Sequence, residues 1–195
     1  YEYYSFPSLY TPMAQAGIDD AGVSSVQNNP YLALYGQGIL VGVIDTGIDY
    51  RHPAFLDKDG NTRIVSIWDQ SIQDGTPPAG FQYGTEYGRD MINRALRAEN
   101  PLDIVPTADT NGHGTAIASI IAGSLNEDNG VRGIVTQAEL VVVKLKKPKK
   151  NLLQISFVPE DAECYQETDI MLALKYLEGV SRSLRRPMAI CFALG

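Results

Sequence analysis

The sequence predicts an α/β fold with a central parallel sheet and helices on both faces, a three-layer sandwich. Two observations carry this. Apolar runs such as Ile39–Ile44 and Met188–Leu194 are hydrophobic at consecutive positions, as strands buried on both faces require. Between the strand-like runs lie segments with helical spacing, and strands alternating with helices imply βαβ units with right-handed crossovers. Functional residues in such sheets belong at the carboxyl ends of strands.

Residues 1–35 are punctuated by Tyr, Pro and Gly and read as an N-terminal arm with a short helix near Val23–Asn28. The first strand, Ile39–Ile44, ends at Asp45, and a second is expected at Arg63–Trp68. Residues 71–88, with Gly75, Pro77, Pro78, Gly80, Gly84 and Gly88, read as a long inserted loop. A short helix over 90–98 begins at Asp90 and stops before Pro101. Helical spacing resumes at His113, with Ile117, Ile120, Ile121 and Leu125 expected on its buried face. A Gly130–Gly133 turn leads to a third strand, Glu139–Leu145, followed by a second variable segment, 146–166. The next helix, 168–185, carries a stripe of Ile170, Leu174, Leu177 and Leu184, with Thr168 or Asp169 as its cap. After Pro187, Met188–Leu194 is a fourth apolar strand. It is expected inside the sheet, with its outer edge and part of a face bare unless further strands follow.

The chain has 195 residues, 44% of them hydrophobic, enough for one buried core. A net charge of -7 argues against nucleic acid or an anionic membrane as partner. Lys144, Lys146, Lys147, Lys149 and Lys150 around Pro148 read as a solvated loop after a strand, or else as a protease-sensitive or partner-binding loop. No apolar run reaches the roughly 18 residues of a membrane span. No leader is evident, and a start at Tyr1 rather than Met reads as a processed or cloned boundary. The two cysteines fit no zinc or redox spacing. One bridge between them is open on paper, but Cys191 reads better as a small buried hydrophobe.

Chemistry concentrates in two motifs. Val41-Gly-Val-Ile-Asp-Thr-Gly47 is ambiguous alone. A strand ending in Asp-Thr-Gly serves proton-sharing carboxylate pairs, magnesium–phosphate sites, or a carboxylate that orients a histidine. An aspartate accepting from its own turn's N–H groups would look the same. The second motif, Asn111-Gly-His-Gly-Thr115, opens a small-residue helix. Its glycines let the backbone pass close to a substrate. The dipole of a helix N-terminus disfavours imidazolium, so a base placed there stays neutral and proton-accepting.

An aspartate and then a histidine, in these boxes within βαβ units, resemble the subtilisin family of serine proteases, whose triad runs Asp, His, Ser. Asp45 matches the catalytic aspartate and His113 the catalytic histidine. Gly36-Gln-Gly38, Gly47-Ile48-Asp49, His52-Pro53 and Gly133-Ile134 match the stretches around those boxes, and His52 reads as structural. Ala193-Leu194-Gly195 matches the start of the strand that pairs with substrate, which gives Leu194 and Gly195 a substrate-binding role. The resemblance covers residues 36–195 as the N-terminal portion of a catalytic domain. Ser66–Gln70, Phe81–Thr85 and Tyr165–Ile170 resemble insertions of the clostridial spore-germination subtilases and their anaerobe relatives, some of whose triads have decayed. A secreted, cell-surface or spore-associated setting is implied.

Three departures qualify this. Ala116 stands where a second histidine is usual, without consequence for His113. Ala54 follows His52-Pro53 where many members carry a calcium-ligating Asp. Glu127 and Asp128 in the loop Leu125–Val131 still offer oxygen donors, so calcium stays an optional ligand of a weakened site, and no cofactor is required. Finally, no Gly-Thr-Ser and no oxyanion asparagine occur within these residues. The chain alone is therefore expected to be inactive, the rest of the protein being a partner that supplies the nucleophile against a protein or peptide substrate. The alternative is a non-catalytic relative that binds or signals through the same cleft.

Overall fold

The computed structural model describes residues 20–125 and 132–194. In chain order the elements are α1 (Val23–Gln27), β1 (Leu40–Asp45), a 3-10 turn (Pro53–Phe55), β2 (Ile64–Asp69), β3 (Thr85–Gly88) and α2 (Arg89–Leu96). A second 3-10 turn (Pro101–Asp103) leads to α3 (His113–Ala122), β4 (Glu139–Lys144), α4 (Lys150–Ile155), α5 (Glu167–Leu184) and β5 (Met188–Phe192). The strands form one sheet in the order β3-β2-β4-β1-β5. All neighbours are parallel except β2 and β3.

Alternation along β1 divides the core into two layers. Val41 and Val43 face the side covered by α2 and α3, together with Ile67, Ile92, Ala118, Leu140 and Val142. Leu40 and Ile44 face α5, together with Trp68, Val141, Val143, Ala173 and Leu177. A strand with apolar side chains on both faces is stable only when both are covered, and here both are. Gly42 sits at the tightest point, since a Cβ there would lie 2.8 Å from Leu177 Cδ1 and 3.1 Å from Met188 Sδ.

Several elements differ from expectation. The segment 71–88 is not a bare loop: Thr85–Gly88 pairs antiparallel with β2, from Asp69↔Thr85 to Ser66↔Gly88. Trp68 anchors this insertion through rings, with centroids 4.6 Å from Phe81, 5.3 Å from Tyr83 and 5.3 Å from Tyr176. In α3 the buried positions are Gly114, Ala118 and Ala122, while Ile120 and Leu125 are exposed. Small residues at i, i+4 and i+8 let this helix lie close to β1, so the isoleucines fall on its flanks.

In α5 the buried face is Asp169, Ala173, Tyr176 and Leu177, and Leu174 and Leu184 are exposed. The face is turned because its polar members have partners: the Tyr176 hydroxyl bonds Ser66 Oγ at 2.7 Å and Glu86 Oε1 at 2.6 Å. Asp169 does not cap the helix. It takes the Lys146 ammonium and accepts from Tyr83 Oη at 2.9 Å. Gln166 holds the N-cap position without a side-chain cap bond, and Gln166 Nε2 donates to Thr168 Oγ1.

The lysine segment is likewise less solvated than its composition implies, because Lys144 Nζ also turns inward, donating to Ala108 O at 2.7 Å. Both cysteines are free and half-buried, so Cys191 is not the fully buried hydrophobe expected. β5 lies at the edge of the described sheet with Ile190 and Phe192 each 45% exposed, the bare edge and face expected where no further strand follows. No helix of the described residues is long and apolar enough to cross a membrane.

Candidate active site

The register of the parallel strands sets the site. Asp45 pairs with Lys144, which pairs in turn with Asp69, so three strands end together at the carboxyl edge of the sheet. Lys144 Nζ lies 3.5 Å from Asp69 Oδ2, which also accepts from the Thr107 hydroxyl at 2.6 Å. These contacts tie the loop before α3 to the sheet.

That loop delivers His113 as the first residue of α3. Its Nδ1 lies 2.8 Å from Asp45 Oδ1, with the histidine side chain 44% exposed and the aspartate 1%. Asp45 Oδ1 also accepts the Thr46 N–H at 2.7 Å, while Oδ2 is buried with no hydrogen-bond partner among the described residues. The helix can approach this far only because residue 114 is glycine. A Cβ there would overlap the Gly47 carbonyl oxygen and lie 3.1 Å from both Asp45 Cβ and Asp45 Oδ1. A buried carboxylate on one ring nitrogen, with the rest of the ring half-exposed, fixes a tautomer and leaves the other nitrogen free to exchange a proton.

The pair is flanked by groups that feel its charge. Burial, and then the charges of Asp45, Glu163 and Asp109, push the Tyr165 phenol up. Burial, and then Asp45, push the Cys191 thiol up. Asn111 Nδ2 donates to Glu163 Oε1 at 2.8 Å and Oε2 at 3.0 Å, which pins the segment before α5 against the entry to α3.

Asp109 is the residue that motif reading missed. Its carboxylate accepts from both hydroxyls and several N–H groups around the His113 turn. Burial alone would raise its pKa, but these bonds outweigh burial and hold it below the usual carboxylate range. The available signal was an aspartate just ahead of an Asn-Gly turn and a helix start, a side chain able to accept from a helix's free N–H groups.

Other expected residues are more scattered. Leu194 follows β5 and packs, half-buried, against the α5 layer, while Gly195, Glu127 and Asp128 lie outside the described residues. His52 is structural: its Nδ1 accepts from the Ala54 N–H at 3.2 Å and caps the 3-10 turn. At Ala54, where a family calcium ligand would stand, the carbonyl already accepts from Arg63 Nη2 and from the Ser124 N–H, each at 2.8 Å. Both lone pairs of that carbonyl are therefore used, while Glu127 and Asp128, the oxygen donors of the expected calcium loop, lie outside the described residues.

The subtilase family model matches residues 36–158. The chain belongs to the subtilase family. Subtilisin-like protease SBT1.9 of Arabidopsis thaliana is 33% identical over 111 residues, covering 53% of this chain and 14% of that protein. An intracellular serine protease of Paenibacillus polymyxa is 31% identical over 110 residues, covering 56% of this subtilase and 24% of the relative. The solved structure of the Clostridium perfringens CspB protease superposes with a TM-score of 0.68 at 36% identity, covering 88% of this chain and 32% of that one. This subtilase chain thus spans less than a third of each of these relatives, with a mostly parallel sheet and flanking helices as expected of the fold.

Proposed function

We propose that the protein is a subtilisin-type serine endopeptidase in which Asp45 orients His113 and His113 is the general base. The observation that carries this is the 2.8 Å contact between a fully buried carboxylate and a half-exposed imidazole. Asp45 accepts a hydrogen bond from Nδ1–H, which leaves Nε2 as the bare ring nitrogen. Nε2 takes the proton of a serine hydroxyl as its Oγ attacks the scissile carbonyl, then gives that proton to the leaving amine. Water hydrolyses the resulting acyl-enzyme by the same exchange. Side chains and backbone donors suffice for this chemistry, so no cofactor is required. The substrate is a protein or peptide, and Leu194 and Gly195 begin the backbone that pairs with it.

The serine comes from residues other than these 195. Ser119, Ser181 and Ser183 each donate to a nearby backbone carbonyl, at 2.8, 2.7 and 3.0 Å, and none follows Gly-Thr. The 195-residue chain alone is therefore inactive, and its bare β5 edge favours self-association when the rest of the protein is absent. A fluorophosphonate probe tests the reading. The full-length protein labels at one serine in a Gly-Thr-Ser setting, and the 195-residue chain does not label. A full-length protein that binds peptide but stays unlabelled would instead be a non-catalytic relative.

A further inference from the structure

Resting on the reading of Asp45 and His113 as the acid and base, we infer that Asp109 is the positioning residue that sets the distance between them. Asp45 and His113 come from separate elements, and their own contact is one hydrogen bond. The links that register those elements run one residue further along each chain. Asp109 Oδ1 accepts from Thr46 Oγ1 at 2.9 Å and from the N–H groups of Asn111 and Gly112 at 3.2 and 2.9 Å. Its Oδ2 accepts from the Thr115 N–H and hydroxyl at 2.9 and 2.6 Å. The two threonines pass the constraint on: Thr46 Oγ1 accepts the Gly114 N–H, and Thr115 Oγ1 accepts the Asp49 N–H, each at 2.9 Å. Thr46 is bonded to Asp45, and Gly114 to His113, so this carboxylate and its two hydroxyls stitch the β1 turn to the first turn of α3 on either side of the couple.

The role demands a carboxylate. Every group facing Asp109 in these bonds is a donor, and both oxygens are used. Asparagine would turn one oxygen into an NH₂ that faces either the Thr46–Gly112 donors or the Thr115 donors, so one side of the stitch is lost. Asp109 also stands at the N-terminus of α3, where Gly112 offers no side-chain cap, so its charge complements the helix dipole. A reacting geometry that slips by about 1 Å loses on the order of 10² in rate.

The experiment compares Asp109→Asn, Asp45→Asn, Thr46→Val and Thr46→Ser in the full-length protein. It reads peptide turnover and the downfield proton NMR signal of the imidazole Nδ1 proton, assigned by its absence in His113→Gln. Asp109→Asn is expected to broaden or lose that signal and to lower kcat about 10²-fold with KM nearly unchanged. Thr46→Val does the same, and Thr46→Ser, which keeps the hydroxyl, restores both. Asp45→Asn abolishes the signal and lowers kcat about 10⁴-fold. Should Asp109→Asn fail to fold, the Thr46 pair decides by itself. A sharp signal and wild-type kcat in Asp109→Asn or Thr46→Val, while Asp45→Asn is crippled, overturns the inference alone. An Asp45→Asn protein that keeps signal and activity overturns the reading of the couple and this inference with it.

Discussion

A methyl group at position 114 has nowhere to go, because the Gly47 carbonyl and the Asp45 side chain occupy its place. Gly114→Ala is therefore expected to cost more than about 3 kcal/mol, beyond ordinary overpacking, since the nearest obstructing atom is backbone. Urea denaturation reads this directly, and a loss under about 1 kcal/mol would mean that α3 has room to tilt. The same residues mark how far single positions were legible. Asp45 and His113 stand out because the two boxes occur together: the Asp-Thr-Gly box alone is ambiguous, and the Asn-Gly-His-Gly-Thr box beside it narrows the reading. Asp109 could not be singled out, because an aspartate before an Asn-Gly turn is common in loops. Its importance lies in which donors converge on it, and those come from Thr46 as well as from residues 111–115.

At the scale of elements, the runs apolar on both faces gave reliable strands, and β1, β2, β4 and β5 lie within a residue or two of expectation. The helices were harder: α4 lies in 146–166, expected only as a variable segment, and of the expected apolar faces of α3 and α5 only Leu177 is fully buried. Periodicity finds large apolar residues, whereas α3 packs through Gly114, Ala118 and Ala122, and α5 buries Asp169 and Tyr176 because each has polar partners. β3 was hidden because four residues after a run of prolines and glycines carry no usable pattern. Tyr83 and Phe81 dock that insertion on Trp68, and the ion pair of Lys146 with Asp169 fastens α5 to the segment after β4. Lys146→Met leaves a buried carboxylate with the Tyr83 hydroxyl alone, at a cost of about 3–5 kcal/mol. Adding Asp169→Leu removes the orphaned charge and should recover most of that loss. Thermal or urea unfolding of the single and double variants decides it, and equal instability of both would locate the effect in packing instead.

Across the whole molecule, the sheet has two unlike edges. Among the described residues the short antiparallel strand β3 closes one, while β5 has no partner strand on its outer side, beside Ile190 and Phe192. Such an edge is a template for pairing with another chain. Sedimentation of the isolated 195-residue chain is expected to reveal concentration-dependent self-association, relieved by Ile190→Lys with Phe192→Lys. A monomer at every concentration would mean that the edge is blunted by its own twist.

The strand order also has a meaning in time. Synthesis runs from the N-terminus, so β1, α3 and β4 emerge before β5 and before any residue beyond Leu194. Every residue that shapes the Asp45–His113 couple has therefore left the tunnel before any segment beyond Leu194 can fold. β5 is the open edge of the described sheet, beside which a later strand can pair. For a protein whose finished form would cut polypeptides, a nascent chain is the nearest substrate. On the proposed reading, the acid and the base are made before the serine they would serve.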